Sequence, residues 1–352
     1  MNKVPQIADV EASWLAARLG LEGEFELDVE PVGSGQVANC YRLTLTDRDG
    51  AATSVIAKAP SLDETSRSTA SMQHLYLRET SFYHVLAQNV ATRTPKCFFV
   101  QHDEDDNFLL LLEDMSPARI VDQFDSLDLE TAKNGLEHLA GLHGPTTGLD
   151  ELHGATWLGG VATSLKPLYE AVLPALFQEF LERYVNEIDD ETAAFIRRLG
   201  ENLSAFSDYD AYAPCVVHGD FRTDNLLFDA RDAEVALCVV DWQTIGVASP
   251  MLDVAYFLTT SLSVADREAH EEELLAFYLE QLAVFGVDLP LDVARSEFAR
   301  YTLQPVVMLV CAAGLVERTE RGDRMFLSMI DRGIRAARAW DAFGELERHA
   351  SA

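Results

Sequence analysis

Between residues 216 and 229 the chain reads VVHGDFRTDNLLFD, with His218, Gly219 and Asp220 closing one apolar run and Asn225 opening the next. A polar turn, ARDAE, separates LLFD from VALCVVD, which ends at Asp241. Two apolar runs about a polar turn predict a hairpin. Such a hairpin brings its ends together, so Asn225 and Asp241 are expected to face one another near Asp220. An amide oxygen and a carboxylate are hard ligands suited to Mg²⁺, which keeps several waters and takes its remaining contacts from substrate phosphates. Asp220 would then stand beside the metal, free to accept a proton from an attacking hydroxyl.

The spacing His218-Gly219-Asp220-x₄-Asn225 is that of the protein-kinase catalytic loop, and Asp241-Trp242-Gln243 stands where a kinase has Asp-Phe-Gly. With Gly in place of the kinase Arg, the stretch resembles the aminoglycoside phosphotransferase and choline kinase-like superfamily. LLLLEDM, LEHLAGLHG, VVDWQ followed by SPMLDVAYFLTTSL, and DREAHEEELLAFYLEQL are similar to its ecdysteroid kinase-like branch. The resemblance covers most of the chain. It implies an α+β, protein kinase-like two-lobe fold and the cofactors ATP and Mg²⁺. It also implies an enzyme that moves the γ-phosphoryl group to a hydroxyl of a small molecule.

Each further part of that machinery has a candidate residue. Gly33-Ser34-Gly35 follows the first expected strand, where a phosphate-cradling loop belongs, although Ala38 replaces the third glycine of the kinase motif. Lys58 ends the apolar run VIAK and is the lone lysine between Lys3 and Lys96; it would bind the α- and β-phosphates. Glu79, in LYLRETSFY, would hold that lysine, with Glu64 as its rival. Adenine would bond to main-chain groups around Glu113 and Met115. Asp220 is the expected proton acceptor, and Asn225 and Asp241 the expected metal ligands. His218 and His143 read as structural groups, and Asp253 resembles the superfamily's buried helix Asp that supports the catalytic loop. Arg222 and Thr223, inside the loop, would touch phosphate or acceptor.

Two other classes of function compete with this reading. A metal-dependent hydrolase would use His218, Asp220 and Asp224, but would leave Lys58 and the glycine loop without a task. A catalytically silent pseudokinase would bind nucleotide without turning it over.

The elements that must position these residues fall into two groups. Strand patterns cover FELDVEPV, NCYRLTLT, ATSVIAKAP, CFFVQH and NFLLLLEDM, with a helix over LYLRETSFYHVLAQ and another over residues 5–20. Beyond Met115 the segments 128–143, 167–187, 190–206, 263–285, 291–316 and 323–348 favour helices, interrupted by strand patterns at 215–241. The expected division is a nucleotide-binding lobe over 1–112, a hinge at 113–117 and a helical lobe over 118–352 carrying the catalytic loop and the acceptor site. Tyr169, Phe177, Phe180 and Tyr184 would line an acceptor pocket or, at helical spacing, form core.

Composition narrows the partners. The 352 residues carry 58 acidic and 27 basic side chains, a net charge of -31, which opposes a nucleic-acid or anionic-membrane partner. Residues 113–352 hold 42 of the acidic and 18 of the basic groups, or -24. That bias suits an amine-bearing acceptor such as an aminoglycoside or choline. The family branch points instead to a hydroxylated, partly apolar metabolite. The N-terminus lacks a signal-peptide apolar stretch, the run PVVMLVCAAGLV is too short to span a bilayer, and five cysteines without a CxxC pair read as buried thiols. A cytoplasmic protein is expected.

Overall fold

The computed structural model describes residues 3–33, 37–149, 152, 155–158, 166–207, 210–315 and 318–350. Alternating apolar residues build its main sheet. Strands β1 (Phe25–Val32), β2 (Ala38–Asp47), β3 (Ala52–Pro60), β4 (Cys97–His102) and β5 (Phe108–Glu113) pair antiparallel in the order β1-β2-β3-β5-β4. One face buries Leu43, Leu45, Val55, Ala57, Leu109 and Leu111 against Leu15 and Ala16 of α1 (Ala12–Leu19). The β2–β3 turn forms where Asp47 accepts the N–H groups of Asp49 and Ala51, each at 2.9 Å, and Gly50 takes a left-handed φ of 82°. The β2–β3 register sets Lys58 opposite Cys40.

Three local expectations are corrected. The helix expected over 5–20 starts only at Ala12, after a single 3₁₀ turn at Ile7–Asp9. Val4 and Val10 are buried in the sheet's core cluster, and Val10 is extended, so packing overrides the helical pattern. A second helix, α2 (Glu64–Met72), occupies a stretch read as loop; Asp63 caps it by accepting the Ser66 N–H at 2.7 Å. It buries only Ala70, so no apolar stripe betrays it. The run 291–316 forms two helices, broken because Pro305 has no N–H and its ring opposes the carbonyl four residues back.

The chain divides into two compact units, 1–119 with 227–244, and 120–226 with 245–352. The segment 227–244, which the sequence reading assigns to the helical lobe, therefore clusters with the sheet. Its strands β7 (Leu226–Asp229) and β8 (Val235–Val239) pair with each other, and Phe228 exchanges both backbone bonds with Arg119, at 2.7 and 2.9 Å. Trp242 lies flat on Phe82, with ring centroids 3.8 Å apart and planes 6° from parallel. Phe82 opens the π turn Phe82–Leu86 that continues α3 (Leu75–Ser81).

The second unit holds β6 (Cys215–Val217), paired antiparallel with the short β9 (Gly246–Ala248), and a set of helices. In chain order these are α4 (Leu129–Thr146), α5 (Lys166–Arg183), α6 (Asp190–Glu201), α7 (Leu203–Ser207), α8 (Met251–Ser261) and α9 (Val264–Ala283). They continue as α10 (Leu291–Tyr301), α11 (Gln304–Leu315), α12 (Glu320–Ala339) and α13 (Ala342–Ala350). Residues of α5, α6, α11, α12 and α13 share one core, which includes Phe177, Phe180, Ile196, Val310, Ile330 and Phe343.

Two stability measurements follow. Trp242 is fully buried, so Trp242→Ala should lower the unfolding free energy by about 3–5 kcal/mol in urea titration; a loss under about 1 kcal/mol would show that the stack is not what seats this segment. On α4, burial pulls the His138 imidazole from 6.5 down to about 4. Between those values the unfolded chain binds a proton that the native state does not, so stability falls as pH drops from about 6.5 toward 4. His138→Gln should flatten that fall in the urea midpoint, and an unchanged slope would refute the assignment.

Candidate active site

Residues singled out from the sequence gather in each unit. In the first, β3 carries Lys58 on the face opposite Val55 and Ala57, and α3 presents Glu79. The Lys58 ammonium lies 2.7 Å from Glu79 Oε2 and 2.7 Å from Asp241 Oδ1. Lys58 is 12% exposed and Glu79 3%, so this is a partly desolvated triad. Burial works against the ammonium, but the charges of Asp241 and then Glu79 outweigh it and raise its pKa. Burial raises the Glu79 carboxyl, and Lys58 pulls it part of the way back. Asp241 reaches the lysine from a left-handed backbone, φ 66°, and its Oδ2 accepts the Gln243 amide N–H at 3.0 Å. Glu64, the rival partner, is exposed at the start of α2.

The phosphate-loop candidates are described in part. Gly33 follows β1 with φ 72°, open space lying where a Cβ would sit; Ser34 and Gly35 lie outside the described residues. Tyr76 of α3 donates to the Val37 carbonyl at 2.7 Å and accepts the Ser61 N–H at 3.2 Å, tying the loop's far end to the end of β3. At the expected hinge, Glu113 is bridged by Arg93 at 2.6 Å and Arg231 at 2.7 Å. Burial opposes its charge, but the Lys96 N–H and both guanidinium groups hold the carboxyl below its ordinary range. Met115 is buried with Ala230 and Cys238, and its carbonyl accepts the Arg231 N–H at 3.2 Å.

In the second unit the loop after β6 hangs from one carboxylate. Asp253 of α8 accepts the His218 N–H at 2.6 Å and the Gly219 N–H at 2.9 Å, one on each oxygen. Gly219 has φ 81°, the left-handed conformation that glycine adopts without strain. His143 of α4 bonds through Nε2 to the same Asp253 at 3.1 Å and through Nδ1 to the Tyr278 hydroxyl at 2.8 Å, all three residues being fully buried. His218 is buried too, and its Nδ1 accepts the Asp220 N–H at 3.3 Å. Both histidines brace the fold.

The loop then turns Asp220 toward Asn225. Asn225 Nδ2 donates to the Asp220 carbonyl at 2.8 Å and to Asp220 Oδ2 at 3.0 Å. Both amide hydrogens are thereby committed. Arg222 bonds Asp220 Oδ1 through Nε at 3.1 Å, and its Nη1 bonds Asp224 and Gln123. Gln123 also accepts the Thr223 hydroxyl at 3.0 Å, so Thr223 is buried as a loop support. Phe177, Phe180 and Tyr184 belong to the helical core, where the Tyr184 hydroxyl meets Asp323 at 2.5 Å; the side chain of Tyr169 lies outside the described residues. The sequence reading missed Gln123, Gln243 and Tyr256. For Tyr256 a signal was present, since it stands three residues after Asp253 on the same helix face.

With this geometry in hand, comparison with known proteins is informative. The family described as the ecdysteroid kinase-like family matches residues 33–286. Acyl-CoA dehydrogenase family member 11 of Gallus gallus is 39% identical over 71 residues, 19% of this chain and 8% of that protein, so the match spans a small part of the relative's length. A Ralstonia eutropha protein assigned to the aminoglycoside phosphotransferases superposes with a TM-score of 0.56 at 15% identity, covering 93% of this chain and 97% of that one. The GDP complex of aminoglycoside 2'-phosphotransferase-IIIa gives 0.54 at 15% identity, covering 91% and 96%. These likenesses establish the α+β, protein kinase-like fold.

The dependence of the loop on one carboxylate is open to test. Asp253→Asn turns one acceptor into a donor facing a backbone N–H. It should lower the unfolding free energy by about 1–3 kcal/mol and speed amide exchange across residues 216–225. Unchanged exchange there would mean that Asp253 does not hold the loop.

Proposed function

Because this chain belongs to the ecdysteroid kinase-like family, we propose that it transfers the γ-phosphoryl group of ATP to a hydroxyl of a small molecule in a Mg²⁺-dependent reaction. The observation that carries this reading is the Lys58 ammonium held between Glu79 and Asp241. One cation and two carboxylates leave a net charge of -1 in a partly buried place, which favours a further cation. The proposed metal ligands are Asp241 and Asn225, whose carboxylate and amide oxygens are hard donors of the kind Mg²⁺ takes. When bound, Mg²⁺ neutralises charge on the transferring group.

The remaining roles belong to the chain. Lys58, steadied by Glu79, binds the α- and β-phosphates, and Gly33, Ser34 and Gly35 are the proposed phosphate-binding loop. Main-chain groups at Glu113 and Met115 take the adenine. Asp220 orients the acceptor hydroxyl and receives its proton. The acceptor favoured by the family is a hydroxylated, partly apolar metabolite; the acidic charge of residues 113–352 keeps aminoglycosides and choline-like amines in the test. Among the described residues no helix is long and apolar enough to cross a membrane, and the five cysteines are unpaired thiols, in keeping with a cytoplasmic site of action. A metal-dependent hydrolase built on His218, Asp220 and Asp224 is disfavoured, because the Arg222 guanidinium already bonds both carboxylates.

Transfer of label from γ-labelled ATP into a pooled set of aminoglycosides, choline-like amines, sterols and sugars tests the proposal. Because the phosphoryl-transfer transition state is loose, metal placement should outweigh proton removal. Asp241→Ala is therefore expected to lose at least as much rate as Asp220→Asn, whose loss should be about 10²–10⁴-fold. A clearly active Asp241→Ala protein would sink the assignment of Asp241, and a chain that neither transfers label nor binds MgATP would sink the kinase reading.

A further inference from the structure

Asp220 is held by more than its own loop. Its Oδ1 accepts two hydrogen bonds, from Arg222 Nε at 3.1 Å and from the Tyr256 hydroxyl at 3.0 Å. Its Oδ2 accepts one, from Asn225 Nδ2 at 3.0 Å. A carboxylate offers about four lone-pair sites, two on each oxygen. Among the described residues Oδ1 is therefore filled, and Oδ2 retains one site. Tyr256 is 2% exposed and sits on α8, so its hydroxyl has little freedom to leave. Burial, and then the Asp220 charge, push that hydroxyl well above its ordinary pKa, so it remains an O–H donor.

The placement of Tyr256 gives this contact its meaning. Asp253 and Tyr256 are one helical step of three apart, so they project from the same face of α8. Asp253 holds the backbone of the loop at His218 and Gly219, while Tyr256 holds the side chain of the next residue, Asp220. One rigid helix thus fixes both the position of the loop and the rotation of its carboxylate. Without the hydroxyl, Oδ1 would keep Arg222 alone, a side chain shared with Asp224 and Gln123.

Resting on the kinase reading above, we propose that Tyr256 is a positioning residue that turns Asp220 so that the free lone pair of Oδ2 receives the acceptor's proton. In the step, the acceptor O–H bond breaks as its oxygen bonds the γ-phosphorus. The proton passes to Asp220 Oδ2, and ADP leaves with the electrons of the broken P–O bond. Tyr256 keeps its own proton throughout and touches neither reactant.

The test uses the full chain with MgATP and water as the acceptor, so no unidentified substrate is needed. ADP release is followed for wild type, Tyr256→Phe, Asp220→Asn and the double variant, with MgATP affinity measured by calorimetry. Tyr256→Phe should lower kcat about 10- to 100-fold, the scale of a misaligned reacting group, with KM and MgATP affinity unchanged. In the Asp220→Asn background the same change should have no further effect, because coupled residues are non-additive. Tyr256→4-aminophenylalanine restores an N–H donor and should recover at least a third of the rate; it also serves if the Phe variant folds poorly. An unchanged rate in Tyr256→Phe, or equal losses in both backgrounds, would overturn the proposal while leaving the kinase reading intact. Absence of MgATP binding and of ADP release in wild type would overturn the kinase reading and this inference with it.

Discussion

The buried carboxylate of Asp253 is the constraint on which the loop geometry depends. A fully buried charge without partners costs several kcal/mol, and removing one member of a satisfied set is more damaging than never having built it. Asp253 meets that cost with two backbone N–H groups and a histidine, itself closed by a tyrosine hydroxyl. Each partner comes from a different part of the chain: His143 from α4, the N–H groups from the loop after β6, and Tyr278 from α9. The carboxylate therefore has one arrangement in which it is satisfied. That arrangement brings α4, α8 and α9 together behind the residues of the loop.

The first unit solves a related problem with the opposite balance. Lys58 has two carboxylate partners where one would neutralise it, and burial opposes the charge on Glu79 while the lysine restores part of it. Asp is among the few non-glycine residues that adopt a left-handed φ as single residues, as Asp241 does. The Phe82–Trp242 stack packs the next residue in place. Structural stability alone would be served as well by a neutral pair.

How far the sequence spoke depended on what each residue must satisfy. All five strands of the main sheet were legible because one-sided burial writes a period of two into Leu43, Leu45, Val55 and Ala57, and the Asp47–Gly50 turn was legible from its own chemistry. The loop residues Asp220 and Asn225 were legible from spacing. Helix α2 was not, since it is held by a cap and buries a single alanine, and Val10 was misread because its burial is tertiary. Gln123, Gln243 and Tyr256 were missed for a common reason. Each acts through a hydrogen bond to a residue far along the chain or to a motif neighbour whose side-chain direction only the fold sets.

Asn225 shows why the loop takes an amide rather than a carboxylate at this position. An Asp at that position would bring a second carboxylate within hydrogen-bond distance of Asp220, and like charges so close would force one of them to hold a proton. The amide avoids this by presenting two unlike faces. Its nitrogen ties the backbone carbonyl and the side chain of Asp220 together, at 2.8 and 3.0 Å, and its oxygen is turned away by the same geometry. A single neutral side chain thus ties the backbone and the carboxylate of Asp220 together without adding a second charge beside it.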